Sequence, residues 1–310
     1  MSAKPVNTYG YGARAAKRCR LLSRPPYSEV DDALCRRYLT HAHRATLDKL
    51  IEWMSEAGMT VREDAIATLI GRYEGQEPNA PALLIGSHVD SVPDGGAYDG
   101  MLGVMLGLAC VEILHREGIR LPFALEVVAF GDEEGSRFHS TMNGSRAMAG
   151  EWDERVLADR DIDGISMLEA YRAFGVSGTP ESVAIDPDHY LGFIEPHIEQ
   201  GPVLEARERA LGVVEAIAGQ KRLAITFSGS ADHAGTTPME LRRDALTAAS
   251  EAILAVEDGA RQTDGVVATV GKIEARPGTP NVIPGEVRFF IDIRSGQDSL
   301  RDSTLAGLED

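Results

Sequence analysis

The length, composition and charge of the chain limit the classes of protein to which it can belong. Its 310 residues predict about two domains, and the content of 25% charged and 43% apolar residues is typical of a soluble globular protein. A formal net charge of −17 argues against a surface for nucleic acid or for an acidic membrane.

The cysteines and the first residues bear on cellular location. Cys19, Cys35 and Cys110 are widely spaced and form no Cys-x-x-Cys pair, so neither a disulfide framework nor a thiolate metal site is predicted. The first residues contain no long apolar region, and no stretch approaches the length of a membrane span. We therefore expect a cytoplasmic protein without a secretory signal.

The chain up to about residue 200 predicts alternating strands and helices. Residues 1–30 are expected to be poorly structured, because Gly10, Gly12 and the sequence Arg24-Pro25-Pro26 interrupt any periodicity. A strand, a helix and a strand in succession form a βαβ unit, which predicts an α/β domain with a mostly parallel sheet. The expected elements are, in order, a helix ending at Gly58, one or two strands within 61–72, a strand at 82–87, a helix at 101–117, a strand at 123–130, helices at 143–149 and 166–174, and a strand at 190–194.

After residue 212 the pattern changes to a smaller α+β layer. A helix with Ala245, Ala249 and Val256 on one face lies between predicted strands, and a further helix begins near Gln297. We therefore expect a catalytic domain over 31–212 and a second domain over 213–310. The strands predicted for this second domain are 212–217, 222–227, 266–274 and 286–293.

Four potential metal ligands each follow a predicted strand end. In open α/β sheets this edge is where ligands bind. Singly, each side chain is more often structural or solvated, but together these nitrogen and oxygen donors favour zinc, manganese or cobalt over calcium. Asp90, two residues after the first of them, projects to the same side, where a carboxylate fixes the orientation of a metal-binding imidazole. The four ligands are His88, Asp99, Glu134 and His197.

The adjacent carboxylates Glu133 and Glu134 fit a hydrolytic site. Such chemistry needs one carboxylate bound to metal and another free to take a proton from water. Two metals about 3.5 Å apart could share Asp99 and polarise both the attacking water and a substrate carbonyl. The alternative interpretation of the pair is an acidic turn, which we would prefer without the other ligands.

Five motifs resemble one family of enzymes, the aminoacylase/carboxypeptidase type of two-metal hydrolases. Within that family they are most similar to the branch of allantoate amidohydrolases and N-carbamoyl-L-amino-acid hydrolases (ureidopropionases). The similarity runs from about residue 30 to the last residue. The motifs are residues 86–92, 96–100, 131–138, 197–201 and 231–239.

The resemblance implies a catalytic α/β domain interrupted by a ferredoxin-like lid and dimerisation domain, and hence a homodimer acting on a small ureido acid. It implies two divalent ions, zinc or manganese, the first held by His88, Asp99 and His197 and the second by Asp99 and Glu134. Glu133 would be the general base, and Asp90 would orient His88.

The resemblance also implies residues that bind the substrate. From the lid, Arg294 would pair with the substrate carboxylate through its planar fork. His233 and Asn281 would steady the carbonyl oxygen as negative charge develops. Gln200 would touch the ureido end. Outside the family context, an exposed strand-end charge, a loop histidine and a turn residue are the preferred interpretations of the three lid positions.

The sequence departs from the family pattern at its end. Members of the family continue, return to the catalytic sheet and supply one more histidine to the second metal, whereas this sequence stops at Asp310. We therefore expect an incomplete second site, fewer than two metals per chain and weak hydrolysis. Among the remaining histidines, His139 is the one candidate substitute.

Several functions stay open at this point. Allantoate is the preferred substrate, with an N-carbamoyl-L-amino acid or β-ureidopropionate as the alternative. A truncated chain that only dimerises is a hypothesis of another class, and an aminopeptidase or carboxypeptidase is a third. A serine or cysteine nucleophile is disfavoured, because no Gly-x-Ser-x-Gly elbow is present and Cys110 lies within a predicted helix.

Overall fold

The computed structural model describes residues 8–176 and 178–307, which form two compact units. The first unit runs to Val203 and the second begins at Leu204, a few residues before the boundary that we predicted near residue 212. The short helix α6 (Val203–Ala206) lies at this division. Each unit has its own apolar core.

The first unit is built on a mixed five-stranded sheet in the order β1-β2-β4-β3-β5. Strands β4, β3 and β5 are parallel, while β1 and β2 add an antiparallel edge. Every residue of β4 is buried, as expected of an apolar run covered on both faces. The strands are β1 (Thr60–Glu63), β2 (Leu69–Tyr73), β3 (Ala82–His88), β4 (Ala124–Phe130) and β5 (Tyr190–Ile194).

Helices cover this sheet, and α3 is the crossover between β3 and β4. Its mostly apolar sequence packs against β3, as the predicted βαβ unit requires. The helices of the unit are α1 (Tyr11–Leu21), α2 (His41–Glu56), α3 (Met101–Arg116), α4 (Asn143–Met148) and α5 (Met167–Phe174).

The helix α1 corrects our prediction that residues 1–30 are poorly structured. Gly10, at φ 84°, precedes the helix as its N-cap and does not interrupt it. Ala15 and Cys19 are buried where α1 packs on α3, and Arg14 and Arg18 both pair with Glu112 of α3. The helix therefore forms because a partner covers its apolar side. Residues 1–7 lie outside the described residues.

The second unit is an antiparallel sheet in the order β6-β8-β7 with helices packed on it. Its core is made by Val287, Phe289 and Ile291 of β8 against Ala249 and Val256 of α7. The elements are β6 (Gly219–Ser228), α7 (Ala245–Gln262), β7 (Val266–Arg276), β8 (Glu286–Ser295) and α8 (Asp298–Ala306).

The strand predicted at 212–217 was wrong. Val213 is 93% exposed and Ile217 is 91% exposed, and within the described part of the chain this segment pairs with no strand. An apolar run of this kind matches a strand locally, but it needs neighbouring backbone groups with which to pair. The unit therefore has a β-α-β-β core followed by α8.

The carboxyl ends of three parallel strands meet at one edge of the first sheet. His88 is the last residue of β3 and is in register with Phe130, the last residue of β4. On the other side of β3, Ile85 is in register with Ile194, the last residue of β5. Side chains that follow these strands are thereby brought to the same edge, as the sequence predicted.

Candidate metal centre

His88, Asp99 and His197 converge at this edge. Asp99 Oδ1 lies 3.8 Å from Nε2 of His88 and 3.2 Å from Nε2 of His197. The two imidazole rings are stacked, with their centroids 5.8 Å apart. One nitrogen or oxygen atom of each residue lies within 4.8 Å of the others, which is the spacing of ligands around a single metal ion.

The other ring nitrogen of each histidine contacts a backbone carbonyl. Nδ1 of His88 is 3.0 Å from the carbonyl oxygen of Asp90, and Nδ1 of His197 is 2.8 Å from that of Ile198. Because a carbonyl can only accept, each Nδ1 carries a proton and each Nε2 is directed at Asp99. This is the arrangement that fixes the orientation of metal-binding histidines.

The role of Asp90 differs from the one we predicted for its side chain. Its backbone carbonyl, and not its carboxylate, contacts His88, since Asp90 Oδ1 is 3.8 Å from Nδ1. The buried carboxylate instead accepts the backbone amides of Glu133, at 3.0 Å, and Glu134, at 3.1 Å. Asp90 therefore links the end of β3 to the turn after β4.

The Glu133–Glu134 turn lies beside His88. One atom from each of His88, Glu133 and Glu134 falls within 4.8 Å of the others, so these residues form a second group of potential ligands. Burial, together with the charge of Asp90, raises the pKa of Glu133 above its ordinary value. Burial also raises the pKa of Glu134, to about 7. Each carboxylate is thus costly to hold charged without a nearby cation.

His88 belongs to both groups of potential ligands, and its pKa is raised. Burial opposes a charge on His88, but Asp99 and the nearby charges of Asp90 and Glu133 outweigh it and raise its pKa to about 9. The proximity of His88 lowers the pKa of Asp99. The centre therefore stabilises positive charge at the position between these side chains.

The residues fit a divalent metal ion. Asp99 Oδ1 is buried and, among the residues that the structure describes, accepts no hydrogen bond. It faces two Nε2 atoms at ligand-like distances, and a buried oxygen without a donor is otherwise expensive. Two imidazoles and a carboxylate are donors suited to zinc or manganese.

Gln200 and His139 have different relations to the centre. The Gln200 side-chain amide donates a hydrogen bond of 2.8 Å to Asp99 Oδ2. Its predicted contact with the substrate stays a prediction. His139 is exposed and, in the described part of the chain, belongs to neither group of potential ligands. It therefore gives no support to the idea that it replaces a missing histidine.

The three predicted lid residues lie in the second unit, where the structure brings two of them together. His233 forms an isolated bridge with Val282, and the amide of Ala234 donates to the carbonyl of Asn281. Both loops lie near Glu286, at the start of β8.

Arg294 lies near the far end of β8 from that pair. Eight residues of extended strand separate it from Glu286, which corresponds to about 27 Å. Its guanidinium is half exposed and donates to both carboxylate oxygens of Asp292. Within one copy of this unit, Arg294 and the loops of His233 and Asn281 therefore do not meet around one small molecule.

Sequence reasoning missed residues that support the ligands. Ser87 Oγ donates a hydrogen bond of 2.5 Å to Glu195 Oε1, which joins β3 to the segment before His197. Arg36 is 1% exposed, and its guanidinium donates to the carbonyls of Val89 and Leu22. Nothing in the mixed polar sequence around Arg36 indicates that this cation is buried. The position of Ser87 directly before His88, in contrast, could have suggested a supporting role.

Residues 84–282, which include this centre, match the peptidase family M20/M25/M40. The chain belongs to this family. The predicted family and the α/β fold class are thereby confirmed. In the described part of the chain, the helices of this family member are all too short or too polar to cross a membrane.

Proteins similar to this chain carry related names. An N-carbamoyl-L-amino acid amidohydrolase of Geobacillus stearothermophilus is 44% identical, over 85% of this chain and 64% of its own length. A probable allantoate deiminase of Oryza sativa subsp. japonica is 38% identical, over 90% of this chain and 61% of its own length. The chain thus spans less than two thirds of the length of these two relatives.

Solved structures give the same fold. The crystal structure of a hydantoinase/carbamoylase family amidase from Burkholderia ambifaria matches with a TM-score of 0.87 and 35% identity. The match covers 96% of this chain and 72% of that one.

Proposed function

We propose that the protein is a metal-dependent amidohydrolase that cleaves a linear ureido or carbamoyl C–N bond, with allantoate as the preferred substrate. The observation that carries this proposal is the convergence of His88, Asp99 and His197 beside the Glu133–Glu134 turn. The names of the Geobacillus and rice relatives support this class of substrate. An N-carbamoyl-L-amino acid is the alternative substrate, which the 44% identity to the Geobacillus protein supports.

The geometry of the side chains supports the proposed ligand roles. His88, Asp99 and His197 would hold one divalent ion, zinc or manganese, and Glu134 would contribute to a second together with Asp99. When bound, such ions lower the pKa of water and polarise the carbonyl oxygen of a substrate. Asp90 would position His88 through its carbonyl oxygen and the glutamates through its carboxylate.

Glu133 is the proposed general base. Its backbone is fixed by Asp90, and burial raises the pKa of its carboxylate toward the neutral range in which a base works best. The carboxylate would take a proton from the attacking water and pass it to the departing nitrogen. The role proposed for Glu134 is different, namely to bind the second metal ion.

The substrate contacts proposed for the second unit are His233, Asn281 and Arg294. The pairing of the His233 and Asn281 loops supports a joint role at a carbonyl oxygen. The half-exposed guanidinium of Arg294 supports a role in binding a carboxylate. Because Arg294 lies about 27 Å along β8 from Glu286, the end of the strand near the other two, we propose a homodimer in which different copies of the unit supply them. Gln200 would contact the ureido end of the substrate.

Two further features belong to the proposal. Free Cys19, Cys35 and Cys110 support a reducing cytoplasmic location. A chain that dimerises without catalysis is the alternative of another class. Light scattering of the purified protein separates dimer from monomer, independently of any activity.

The test is hydrolysis by the purified protein loaded with Mn²⁺ or Zn²⁺. Ammonia release is measured from allantoate, from N-carbamoyl-β-alanine and from N-carbamoyl-L-amino acids, with Glu133→Gln as the matched inactive variant. We expect turnover of allantoate that depends on both the metal and Glu133. A protein that binds metal but releases no ammonia from any of these substrates would favour the non-catalytic alternative.

A further inference from the structure

Helix α3 presents two glycines, one helical turn apart, to the segments that carry the histidine ligands. Gly100 precedes the helix as its N-cap, and Gly103 lies in its first turn. Asp99 directly precedes them, and the amide of Met101 donates to the Asp99 carbonyl. The start of α3 therefore positions the ligand Asp99 together with two glycines, which have no side chains to keep neighbouring segments away.

Gly100 lies against the imidazole of His88. A Cβ atom placed on Gly100 would lie 2.5 Å from three atoms of that ring. The residue also has φ +60°, in the left-handed region that favours glycine. Both the contact and the backbone conformation therefore require glycine here.

Gly103 lies against the residue before His197. A Cβ atom placed on Gly103 would lie 2.3 Å from the carbonyl oxygen of Pro196 and 2.8 Å from Cβ of Ser87. The obstacle is backbone, which cannot rotate away as the tip of a long side chain can. A methyl group at this position must therefore move the Pro196 segment, the helix or both.

The Pro196 segment is also tied to β3. Ser87 Oγ donates to Glu195 Oε1 at 2.5 Å, one residue before Pro196. A shift of the segment relative to β3 therefore strains this bond. Because His197 follows directly, its Nε2 would move with the segment relative to Asp99 Oδ1, now 3.2 Å away.

We infer that Gly103 is a positioning residue of the metal centre: its missing side chain sets how closely the Glu195–His197 segment approaches α3, and hence the separation of the His197 and Asp99 ligand atoms. The inference rests on the proposed metal-dependent function. Gly103 touches no ligand atom itself and acts through Pro196.

The experiment compares Gly103→Ala with Gly107→Ala in the same helix. Both replace a helical glycine by alanine, so the change in intrinsic helix propensity is the same. At Gly107 the nearest atoms to a new Cβ lie at 3.3 Å and belong to Ile85 and Val127, in the core and away from the ligands. The dissociation constant for Zn²⁺ is measured by chelator competition, and the absorption spectrum of bound Co²⁺ reports ligand geometry.

We expect Gly103→Ala to weaken Zn²⁺ binding by about tenfold or more, the size of effect seen when residues that orient ligands are changed. Its Co²⁺ spectrum should also shift, while Gly107→Ala stays within about twofold and keeps the wild-type spectrum. Equal Zn²⁺ affinity and identical spectra for Gly103→Ala and wild type would overturn the inference.

Two controls separate the other outcomes. If the wild-type protein itself fails to bind Zn²⁺ and Co²⁺, the proposed function fails and not the inference alone. If Gly103→Ala does not fold, Ser87→Ala tests the same segment by removing the bond to Glu195 without adding bulk. Ser87→Ala should also weaken Zn²⁺ binding and alter the Co²⁺ spectrum, and an unchanged affinity and spectrum would again overturn the inference.

Discussion

The backbone amide of Glu133 donates a hydrogen bond of 3.0 Å to Asp90 Oδ1, and this bond ties the turn after β4 to the end of β3. The other oxygen of Asp90 accepts the amide of Glu134 at 3.1 Å. Asp90 is fully buried and the two glutamates are half-buried, so both bonds are partly shielded from water. The Asp90 carboxylate therefore fixes the backbone of both Glu133 and Glu134, for which different roles are proposed.

The first prediction concerns Asp90→Asn. The amide side chain keeps one acceptor but turns an NH₂ group toward a backbone donor, which leaves one buried amide unpaired. We expect a loss of about 1–3 kcal/mol in the free energy of unfolding and a clear fall in kcat. Denaturant unfolding and ammonia release measure the two effects, and Asp94→Asn on the exposed part of the same loop is the control. Equal stability for both variants would contradict the prediction.

The second prediction concerns metal stoichiometry. The first proposed ion has three ligands, His88, Asp99 and His197. The second would be held by Glu134 and by Asp99, which the first ion already binds. We expect one tightly bound Zn²⁺ or Mn²⁺ per chain after dialysis. Elemental analysis against protein concentration measures this ratio, with His139→Asn expected to leave it unchanged. Two ions of similar affinity would show that the expectation is wrong.

The third prediction separates the adjacent glutamates. Glu133→Gln is expected to lower kcat by about 100-fold or more, because amides cannot accept a proton from water. Its Zn²⁺ affinity should stay close to that of the wild type. Glu134→Gln should instead weaken Zn²⁺ binding. The main effect is therefore expected on kcat for Glu133→Gln and on Zn²⁺ affinity for Glu134→Gln. A kcat for Glu133→Gln near the wild-type value at saturating metal would remove it as the base.

The fourth prediction concerns pH and His43. This ring is fully buried, accepts the Leu39 amide at Nδ1 and stacks on Phe174. Burial, with the charges of Arg36 and Arg44, lowers its pKa to about 3. The unfolded chain takes up a proton below about pH 6.5, whereas the folded ring stays neutral, so stability falls as pH falls from about 6.5 toward 3.

His43→Asn tests this pH dependence. The Asn oxygen can replace Nδ1 as acceptor for the Leu39 amide, but it does not titrate. Between pH 6.5 and 5.5 the wild type should lose about 1 kcal/mol relative to the variant. Unfolding curves at each pH give the difference, and parallel pH profiles for the two proteins would refute the assignment.

The elements around the metal centre could be predicted because their signals are local. β3 and β4 are apolar runs and α3 is an apolar helix between them. His88 ends β3, Asp99 lies just before α3, and His197 follows the end of β5. Parallel strands then carry those ligands to one edge, whatever the details of packing. The edge at which His88, Asp99 and His197 meet could therefore be predicted, whereas the separation of their ligand atoms depends on contacts such as that of Gly103 with Pro196.

The errors have a different physical origin. α1 is polar on average and is stabilised by burial against α3 and by Glu112, and neither partner is visible in its own sequence. For the segment 212–217 we predicted a strand that does not form. Its residues are apolar, but no neighbouring strand is available to pair with them. For Asp90 the sequence placed the right residue but could not show that its carbonyl, and not its carboxylate, faces His88.

The cover that α1 gives to α3 bears on how the protein can be shortened. Removing the chain through Leu22 would leave Glu112 without its partners Arg14 and Arg18. It would also expose to solvent the side of α3 that α1 covers, and α3 begins next to Asp99. We therefore expect a deletion through Leu22 to lower both the solubility of the protein and its affinity for the metal ion.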